Sequence, residues 1–219
     1  MSLIRSLYKR FNPPAVKADK GFAGSRRYWE RRYEKGKNSG DGSYNELAVF
    51  KAEVLNAFVK EQGIGRVIEY GCGDGNQLSL AEYPVYTGFD VSDRALELCE
   101  ARFAGDTSKT FKRMDAYDGE CADLTLSLDV VYHLVEDPVF EAYMARLFDS
   151  AEDHVVIYAS NSEEQALHQA PHVRHRVFTD WVATHRPQWV LTRQVPNRYP
   201  FDPVTETGSF ADFFFFERR

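Results

Sequence analysis

The residues of this sequence best suited to chemistry are three closely spaced glycines and two acids that end apolar segments. The stretch VIEYGCGDGNQ, residues 67–77, places Glu69 just before Gly71, Gly73 and Gly75, and a second apolar segment ends at Asp90. Glycines after a strand allow a tight turn and a close approach of the backbone to a ligand. An acid at the tip of the next strand can accept both hydroxyl protons of a ribose. The spacing therefore predicts a nucleoside-containing cofactor at the carboxyl edge of a parallel sheet.

The charges of this loop distinguish between two cofactors. A nicotinamide dinucleotide calls for G-x-G-x-x-G, but Asn76 stands where the third glycine is needed. Glu69 and Asp74 would also repel a pyrophosphate in a partly desolvated loop. S-adenosylmethionine has no phosphate and carries a sulfonium and an α-ammonium, for which acids are favourable neighbours. The residues favour S-adenosylmethionine.

Four motifs in order resemble the class I S-adenosylmethionine-dependent methyltransferases. They are ExGCGxG from Glu69, the strand-ending Asp90, the pair Asp115-Ala116, and DLTLSLDVVYHL over residues 123–134. The resemblance covers roughly residues 43–217. It implies an α/β fold with a doubly wound, Rossmann-like sheet of seven strands, mostly parallel, with an antiparallel C-terminal hairpin. It also implies a methyltransferase activity.

The predicted cofactor site follows from position and from this resemblance. Backbone groups of the glycine loop should line the methionine end, Glu69 should reach the α-ammonium, and Asp90 should bind the ribose hydroxyls. By resemblance, Asp115 accepts the adenine amino proton and the Ala116 amide faces the ring. The full predicted set is Glu69, Gly71, Cys72, Gly73, Gly75, Asp90, Val91, Ser92, Asp115, Ala116, Ser127 and Leu128.

Two residues after the fourth strand are candidates for catalysis. His133 is a candidate general base because the pKa of a histidine lies near neutrality; alternatively it packs beneath the cofactor. Asp129 either orients His133, binds the acceptor or joins Asn161 as a metal ligand. We expect a site without a metal. The sequence SLDV, from Ser127, replaces the Asn-Pro-Pro-Tyr type of motif found in enzymes that methylate exocyclic base amines. This difference argues against an exocyclic base amine as the acceptor.

Two further segments are candidates for acceptor binding. The stretch HQAPHVRHRVFTDW, from His168, contains His172, Arg174 and His175, which suit an anionic or hydroxyl-rich acceptor; a solvated basic helix start is the alternative. Nearer the N-terminus, Tyr28 and Trp29 suit a lid over the cofactor, together with Tyr33 and with Gly36, Gly40 and Gly42 as hinges. The same aromatic and basic pattern is also compatible with base stacking.

Composition limits the class of protein. At 219 residues and 43% hydrophobic, the chain can form one sizeable core. Residues 1–37 carry eleven Lys and Arg against three acids, although the whole chain has a net charge of −6. We therefore expect a basic arm, residues 1–42, on an acidic domain, residues 43–219; the arm either meets an anionic acceptor or folds back onto its own domain. Three cysteines without metal-ligand spacing indicate reduced thiols and a cytoplasmic protein, and no segment predicts a signal peptide or a membrane span.

The elements that position these residues alternate between strands and helices. A capping-box spacing, Ser43 to Glu46, predicts a helix that Gly63 stops. Strands are predicted near residues 66–70, 85–90, 110–114, 123–128, 154–159, 188–194 and 211–217. Helices are predicted near 75–81, 92–103, 138–148 with Asp137 as cap, and 179–185. Such alternation indicates a parallel sheet covered on both faces.

The leading functional hypothesis is a methyltransferase that acts on an oxygen of a small molecule, such as a sugar or a glycan precursor. One alternative is an RNA methyltransferase that uses the basic arm. The other is a regulatory or scaffold protein that binds S-adenosylmethionine without turnover.

Overall fold

The chain forms one seven-stranded sheet in the order β3-β2-β1-β4-β5-β7-β6. The computed structural model describes residues 22–165, 169–205 and 207–219. The strands are β1 (Arg66–Tyr70), β2 (Val85–Asp90), β3 (Lys109–Arg113), β4 (Ala122–Leu128), β5 (Ala151–Ala159), β6 (Trp189–Val195) and β7 (Asp212–Arg218). All seven predicted strands are confirmed, with bounds that shift by at most three residues.

The direction of the strands agrees with the predicted topology. Strands β1 to β5 pair in parallel, whereas β7 is antiparallel to both β5 and β6. Because β7 lies between β5 and β6, its side chains at residues 213–216 are buried on both faces, each at most 3% exposed. Strand β7 is therefore an interior strand of the sheet.

Five α-helices accompany the sheet in the described part of the chain. They are α1 (Ser25–Glu34), α2 (Asn45–Gln62), α3 (Asp93–Arg102), α4 (Asp137–Asp149) and α5 (Phe178–His185). Helix α2 ends as predicted at Gly63, whose φ of 65° is the left-handed conformation that glycine tolerates. No described helix is both long and apolar enough to cross a membrane.

Three local predictions about helices were wrong. Residues 75–81 form only a 3-10 turn, Leu78–Leu80, because Gly75 has a positive φ and Ala81 is already extended. Helix α2 begins after Tyr44, so Ser43 lies in the preceding 3-10 turn and does not cap it. Helix α4 includes Asp137 as its first residue, and the capping position falls on Glu136.

The parallel strands bring the predicted chemistry to one edge. Strands β1, β2 and β4 end next to one another, so the segments that follow Tyr70, Asp90 and Leu128 meet at the same carboxyl edge. In open α/β sheets this edge is where ligands bind.

Candidate active site

A cavity of about 390 Å³ lies at this edge of the sheet. Its wall is formed by the glycine loop, the ends of β2 and β4, and residues of α1, α2 and α4. The wall contains ten of the predicted site residues: Trp29, Glu69, Gly71, Cys72, Gly73, Asp90, Val91, Leu128, Asp129 and His133. The structure thus places the predicted catalytic pair and most of the predicted cofactor residues around one space.

Two buried carboxylates face the cavity. Glu69 is 4% exposed and accepts a hydrogen bond from the Tyr86 hydroxyl at 2.6 Å. Burial raises the pKa of Glu69 to about 7, although the Tyr86 hydrogen bond and Lys51 oppose the shift. Asp90 accepts hydrogen bonds from the Gly73 and Ser92 amides, and burial raises its pKa to about 6. Both acids therefore exchange protons close to neutral pH, where a cationic ligand would stabilise their charged forms.

The three glycines of the loop have different neighbours. Gly71 and Gly73 both have positive φ and line the cavity. A Cβ at Gly73 would collide with the Ser39 and Tyr33 hydroxyls, so the loop lies directly against the N-terminal segment. A Cβ at Gly75 would instead meet Phe103 and Cys99 of the α3 region. Gly75 is therefore a packing position beside α3 and does not line the cavity.

Four other predicted cofactor residues also lie outside the cavity wall. Asp115 and Ala116 are exposed, and Asp115 pairs with Arg113 and Arg26 at 3.3 Å each. Ser92 caps α3 by accepting from the Ala95 amide. Ser127 is buried and receives a hydrogen bond from the Tyr143 hydroxyl. The wall contains Met114 where the sequence predicted Asp115.

Asp129 has a buried partner that the sequence analysis missed. Its carboxylate accepts hydrogen bonds from Lys51 Nζ at 2.6 Å and from the Tyr132 hydroxyl at 2.7 Å; within the described part of the chain, it forms none with His133. Its φ of 59° is a left-handed conformation that is strained for a non-glycine residue. A signal for Lys51 was present, because this residue lies four positions from both Leu47 and Leu55 on the apolar face of α2. A lysine on such a face needs a partner.

His133 is a neutral imidazole at the cavity wall. Its Nδ1 lies 2.9 Å from the backbone oxygen of His172. A carbonyl oxygen only accepts, so Nδ1 carries the proton and Nε2 keeps its lone pair. Burial lowers the pKa of His133 to about 4, with the His172 hydrogen bond opposing. This histidine is therefore unprotonated at Nε2 at neutral pH.

Helix α1 lies over the cavity and is fixed at its N-terminal end. Ser25 and Trp29, on one face of the helix, line the cavity, as does Tyr33. The Ser25 amide and hydroxyl both donate to the Glu136 carboxylate, at 2.9 Å and 2.5 Å. The Ser25 hydroxyl also accepts from the Val135 amide at 3.0 Å. We call this set of contacts the Ser25 latch.

A second set of contacts fixes the segment that follows α1 to the glycine loop. Asp74 accepts from the Ser39 amide at 2.9 Å and from the Tyr44 hydroxyl at 2.8 Å, while its own amide donates to the Ser39 hydroxyl. Burial opposes ionisation of Asp74, but these hydrogen bonds and that from the Asn76 amide lower its pKa. We call this set the Asp74 latch. Asp74, which the sequence analysis counted as an acid facing the ligand, is occupied in holding the N-terminal segment.

The predicted acceptor residues are divided between two places. Tyr28 stacks on His172 with ring centroids 4.0 Å apart, next to Trp29 and His133. Arg174 turns away and pairs with Asp137 at 2.8 Å. His175 borders a second cavity.

This second cavity, of about 360 Å³, lies beyond the ends of β5, β6 and β7. His175 Nδ1 is 2.6 Å from the Ser160 hydroxyl there. Tyr132 connects the two cavities, because its hydroxyl binds Asp129 while its ring contacts Phe210 and His175. The cavity is lined by Ser160, Asn161, Ser162, Glu164, His175, Gln194, Phe210, Asp212 and Phe214.

The first cavity suits S-adenosylmethionine by its donors and acceptors. Glu69 and Asp90 provide buried acceptors for a cationic, ribose-containing ligand. Gln77 adds a side-chain oxygen, Oε1, that is buried and has no hydrogen-bond partner. Such an atom requires a donor from a ligand or from water. The Cys99 thiol and burial raise the pKa of Cys72 well above its usual value, which disfavours a nucleophilic role for this cavity residue.

A divalent metal has no evident site in the part of the chain that the structure describes. No group of three or more His, Cys, Asp or Glu residues there could hold one. Asp129 is occupied by Lys51, whereas Asn161 is hydrogen-bonded to Thr179 at the second cavity.

Comparison with known proteins agrees with the fold. A family model described as a methyltransferase domain matches residues 68–150. No similar sequence was found among curated proteins. Three similar solved structures have identities of 16–21% and therefore support the fold alone.

Two of these structures contain S-adenosylhomocysteine. Magnesium protoporphyrin IX methyltransferase (ChlM) of Synechocystis PCC 6803 is 17% identical, with a TM-score of 0.64 and coverage of 89% of this chain and 98% of that one. The N-methyltransferase NodS of Bradyrhizobium japonicum WM9 is 16% identical, with the same TM-score and coverage. The methyltransferase domain of bacterial CtHen1-C is 21% identical, with a TM-score of 0.60 and coverage of 77% and 96%.

Proposed function

Because this chain is a class I S-adenosylmethionine-dependent methyltransferase, we propose that it methylates an oxygen atom of a small, hydroxyl-rich acceptor. The observation that carries the proposal is His133. It is a neutral imidazole at the cavity wall, with Nδ1 committed to a carbonyl and Nε2 able to accept a proton. A hydroxyl benefits from such a base, whereas a neutral amine needs none once it is deprotonated.

The cofactor residues are proposed from the cavity wall. Gly71 and Gly73 offer backbone groups to the methionine end, and Asp90 binds the ribose hydroxyls. Glu69 faces the α-ammonium, and Val91 and Met114 flank the adenine ring. The bound cofactor supplies the methyl group on a sulfonium, which is already an activated leaving group. The protein therefore mainly has to align the acceptor and exclude water.

The reaction requires only one proton transfer to the protein. The acceptor hydroxyl gives its proton to His133 Nε2 as its oxygen forms the new bond to the methyl carbon. Trp29, whose ring packs against His133 at 4.9 Å, shields this step from solvent. The carbonyl of His172 holds the ring in the required tautomer.

The second cavity is the proposed place for the rest of the acceptor. Its wall combines hydroxyl and amide groups with the ring of Phe210, a combination that suits a saccharide. No lysine or arginine lines it among the described residues, so a phosphorylated acceptor is disfavoured. Of the predicted residues His175 and Arg174, we keep His175 as an acceptor contact because it lines this wall, whereas Arg174 pairs with Asp137.

The RNA alternative depends on the N-terminal segment. Helix α1 exposes Arg27 and Arg31, and residues 1–21 of the predicted basic arm lie outside the described residues. An RNA substrate would use this cationic surface. A protein that binds the cofactor without turnover is the other alternative. The boundary at residue 42 and the cytoplasmic location stay proposals.

The test is methyl transfer from labelled S-adenosylmethionine to fractionated cell extract, with and without nuclease and EDTA. We expect nuclease-resistant label in the small-molecule or glycan fraction. His133→Gln should slow labelling at pH 7 by about 10²- to 10⁴-fold with an unchanged cofactor dissociation constant, because only the base is lost. The exposed His185 provides the control, His185→Gln. Nuclease-sensitive label would establish the RNA alternative. A loss of cofactor affinity equal to the loss of rate would refute the role of His133.

A further inference from the structure

Glu69, Lys51 and Gln77 form a buried polar corner of the cofactor cavity, because the charges of Glu69 and Lys51 interact and Gln77 binds the backbone of Ala48, three residues before Lys51. The cofactor residues proposed above leave Lys51 and Gln77 unused. Lys51 of α2 is 0% exposed and Gln77, after the glycine loop, is 7% exposed. Both line the cavity together with Glu69. The binding site inferred below depends on S-adenosylmethionine being the cofactor, as proposed above.

Gln77 lines the cavity, and its side-chain amide has a fixed orientation. Its Nε2 donates to the Ala48 carbonyl oxygen at 3.1 Å. Rotating the amide by 180° would place Oε1 against that carbonyl, so the hydrogen bond fixes Oε1 as the atom that is left over. Oε1 is the buried atom without a partner. It therefore needs a donor that the described protein does not supply.

Lys51 presents unused donors to the same corner. An ammonium has three N–H donors, and the described residues give Nζ one hydrogen bond, to Asp129 at 2.6 Å. Nζ also lies over the Tyr158 ring, 5.2 Å from its centroid. Asp129 thus keeps the lysine in place while leaving two donors for a ligand.

The corner therefore offers a cation, a neutral acceptor and a carboxylate in one recess. An α-amino acid group has the complementary charges, because its carboxylate matches Lys51 and its ammonium matches Gln77 and Glu69. We propose that Lys51 and Gln77 bind the two ends of the cofactor's amino acid group, Lys51 the carboxylate and Gln77 Oε1 the ammonium. Lys51 then also links the cofactor to the acceptor side, through Asp129 and Tyr132.

Decarboxylated S-adenosylmethionine separates the two contacts, because it lacks the carboxylate and keeps the ammonium. Isothermal titration of the full chain measures the affinity of each compound. We expect the wild-type protein to bind S-adenosylmethionine about 10- to 100-fold more tightly, as for a hydrogen bond between charged groups. Lys51→Met should reduce this preference to about threefold or less. Gln77→Leu should weaken both compounds by a similar factor, about 5- to 50-fold.

The outcomes distinguish this inference from the proposed function. Gln62→Leu, at the exposed end of α2, is the matched control and should change neither affinity. If neither compound binds the wild-type protein, the proposed function fails. If both bind the wild-type protein equally well, or if Gln77→Leu changes neither affinity, the inference alone is overturned. Should Lys51→Met fail to fold by circular dichroism, the wild-type preference and Gln77→Leu decide the question.

Discussion

The protonation of Glu69 should control cofactor affinity near neutral pH. Burial raises its pKa to about 7, and a cationic ligand binds the ionised form. We therefore expect the dissociation constant of S-adenosylmethionine to rise about tenfold between pH 8 and pH 6, with a proton released on binding. Titrations in buffers of different ionisation enthalpy measure both quantities. Glu69→Gln should remove most of the dependence and leave only the smaller part due to Asp90, whose pKa is raised to about 6. The exposed Glu82→Gln should leave the dependence unchanged, and a flat wild-type profile would contradict the role of Glu69.

The same pKa has a consequence for stability. A carboxyl group whose pKa is raised on folding binds its proton more tightly in the native state. The stabilisation of the native state by this carboxyl group is complete at pH values below its usual pKa of 4.5. It is lost as the pH rises through the raised pKa of about 7. The free protein should therefore lose stability over this range, and bound cofactor should offset the loss. His133 acts in the opposite sense, because its lowered pKa costs stability as the pH falls from 6.5 towards 4.

Single residues of the site were predictable where their position next to a strand in the sequence determines their location in the fold. Asp90 ends a strand and Gly71 follows one, so both had to reach the carboxyl edge. Asp115 was not predictable in this way, because ion pairs with Arg113 and Arg26 hold it outside the cavity wall. Lys51 and Gln77 come from segments that meet only in the tertiary fold. The Lys51–Asp129 pair joins residues 78 positions apart in sequence.

Among the elements, helix α1 should control access to the cavity. Ser25→Ala and Asp74→Asn each remove hydrogen bonds that hold one end of the N-terminal segment over the cavity. We expect the double variant to exchange the amide hydrogens of residues 25–34 faster and to release bound cofactor about 3- to 30-fold faster, because local opening costs less free energy. Hydrogen exchange and stopped-flow fluorescence measure these changes. Arg27→Ala, on the exposed side of the same helix, is the control. Unchanged exchange and release in the double variant would show that α1 does not gate the cavity.

Strands and long helices were predictable from periodicity, but the ends of helices were not. Strands β1 and β2 have the predicted bounds because their apolar runs are bordered by turn residues. The predicted helix at residues 75–81 fails because Gly75 must adopt a positive φ beside Phe103, a requirement set by α3. Tyr44 precedes α2 and uses its hydroxyl to bind Asp74. Tertiary contacts thus override the local capping signal of Ser43.

For the whole molecule, the cavity exists only when distant parts of the chain are assembled. Its wall draws on α1, α2, α4 and the segments after β1, β2 and β4. Its ligand should therefore bind the native state and not the unfolded chain. A ligand of this kind, at a free concentration one hundred times its dissociation constant, raises the free energy of unfolding by about 2.7 kcal/mol. For a chain of this size that corresponds to a rise in Tm of about 5–10 °C.

The rise in Tm distinguishes S-adenosylmethionine from a nicotinamide dinucleotide. S-adenosylmethionine should raise Tm by that amount in scanning calorimetry, whereas NAD⁺ at the same concentration should leave it unchanged, because the buried Glu69 beside the glycine loop repels a pyrophosphate. Asp90→Asn should reduce the shift by weakening the ribose contact, and the control Asp118→Asn, at an exposed turn, should not. Stabilisation by NAD⁺ would overturn the cofactor assignment. An unchanged Tm shift in Asp90→Asn would leave the cofactor assignment intact and refute only the ribose contact of Asp90. The calorimetric measurement therefore also tests the role that the sequence predicted for Asp90.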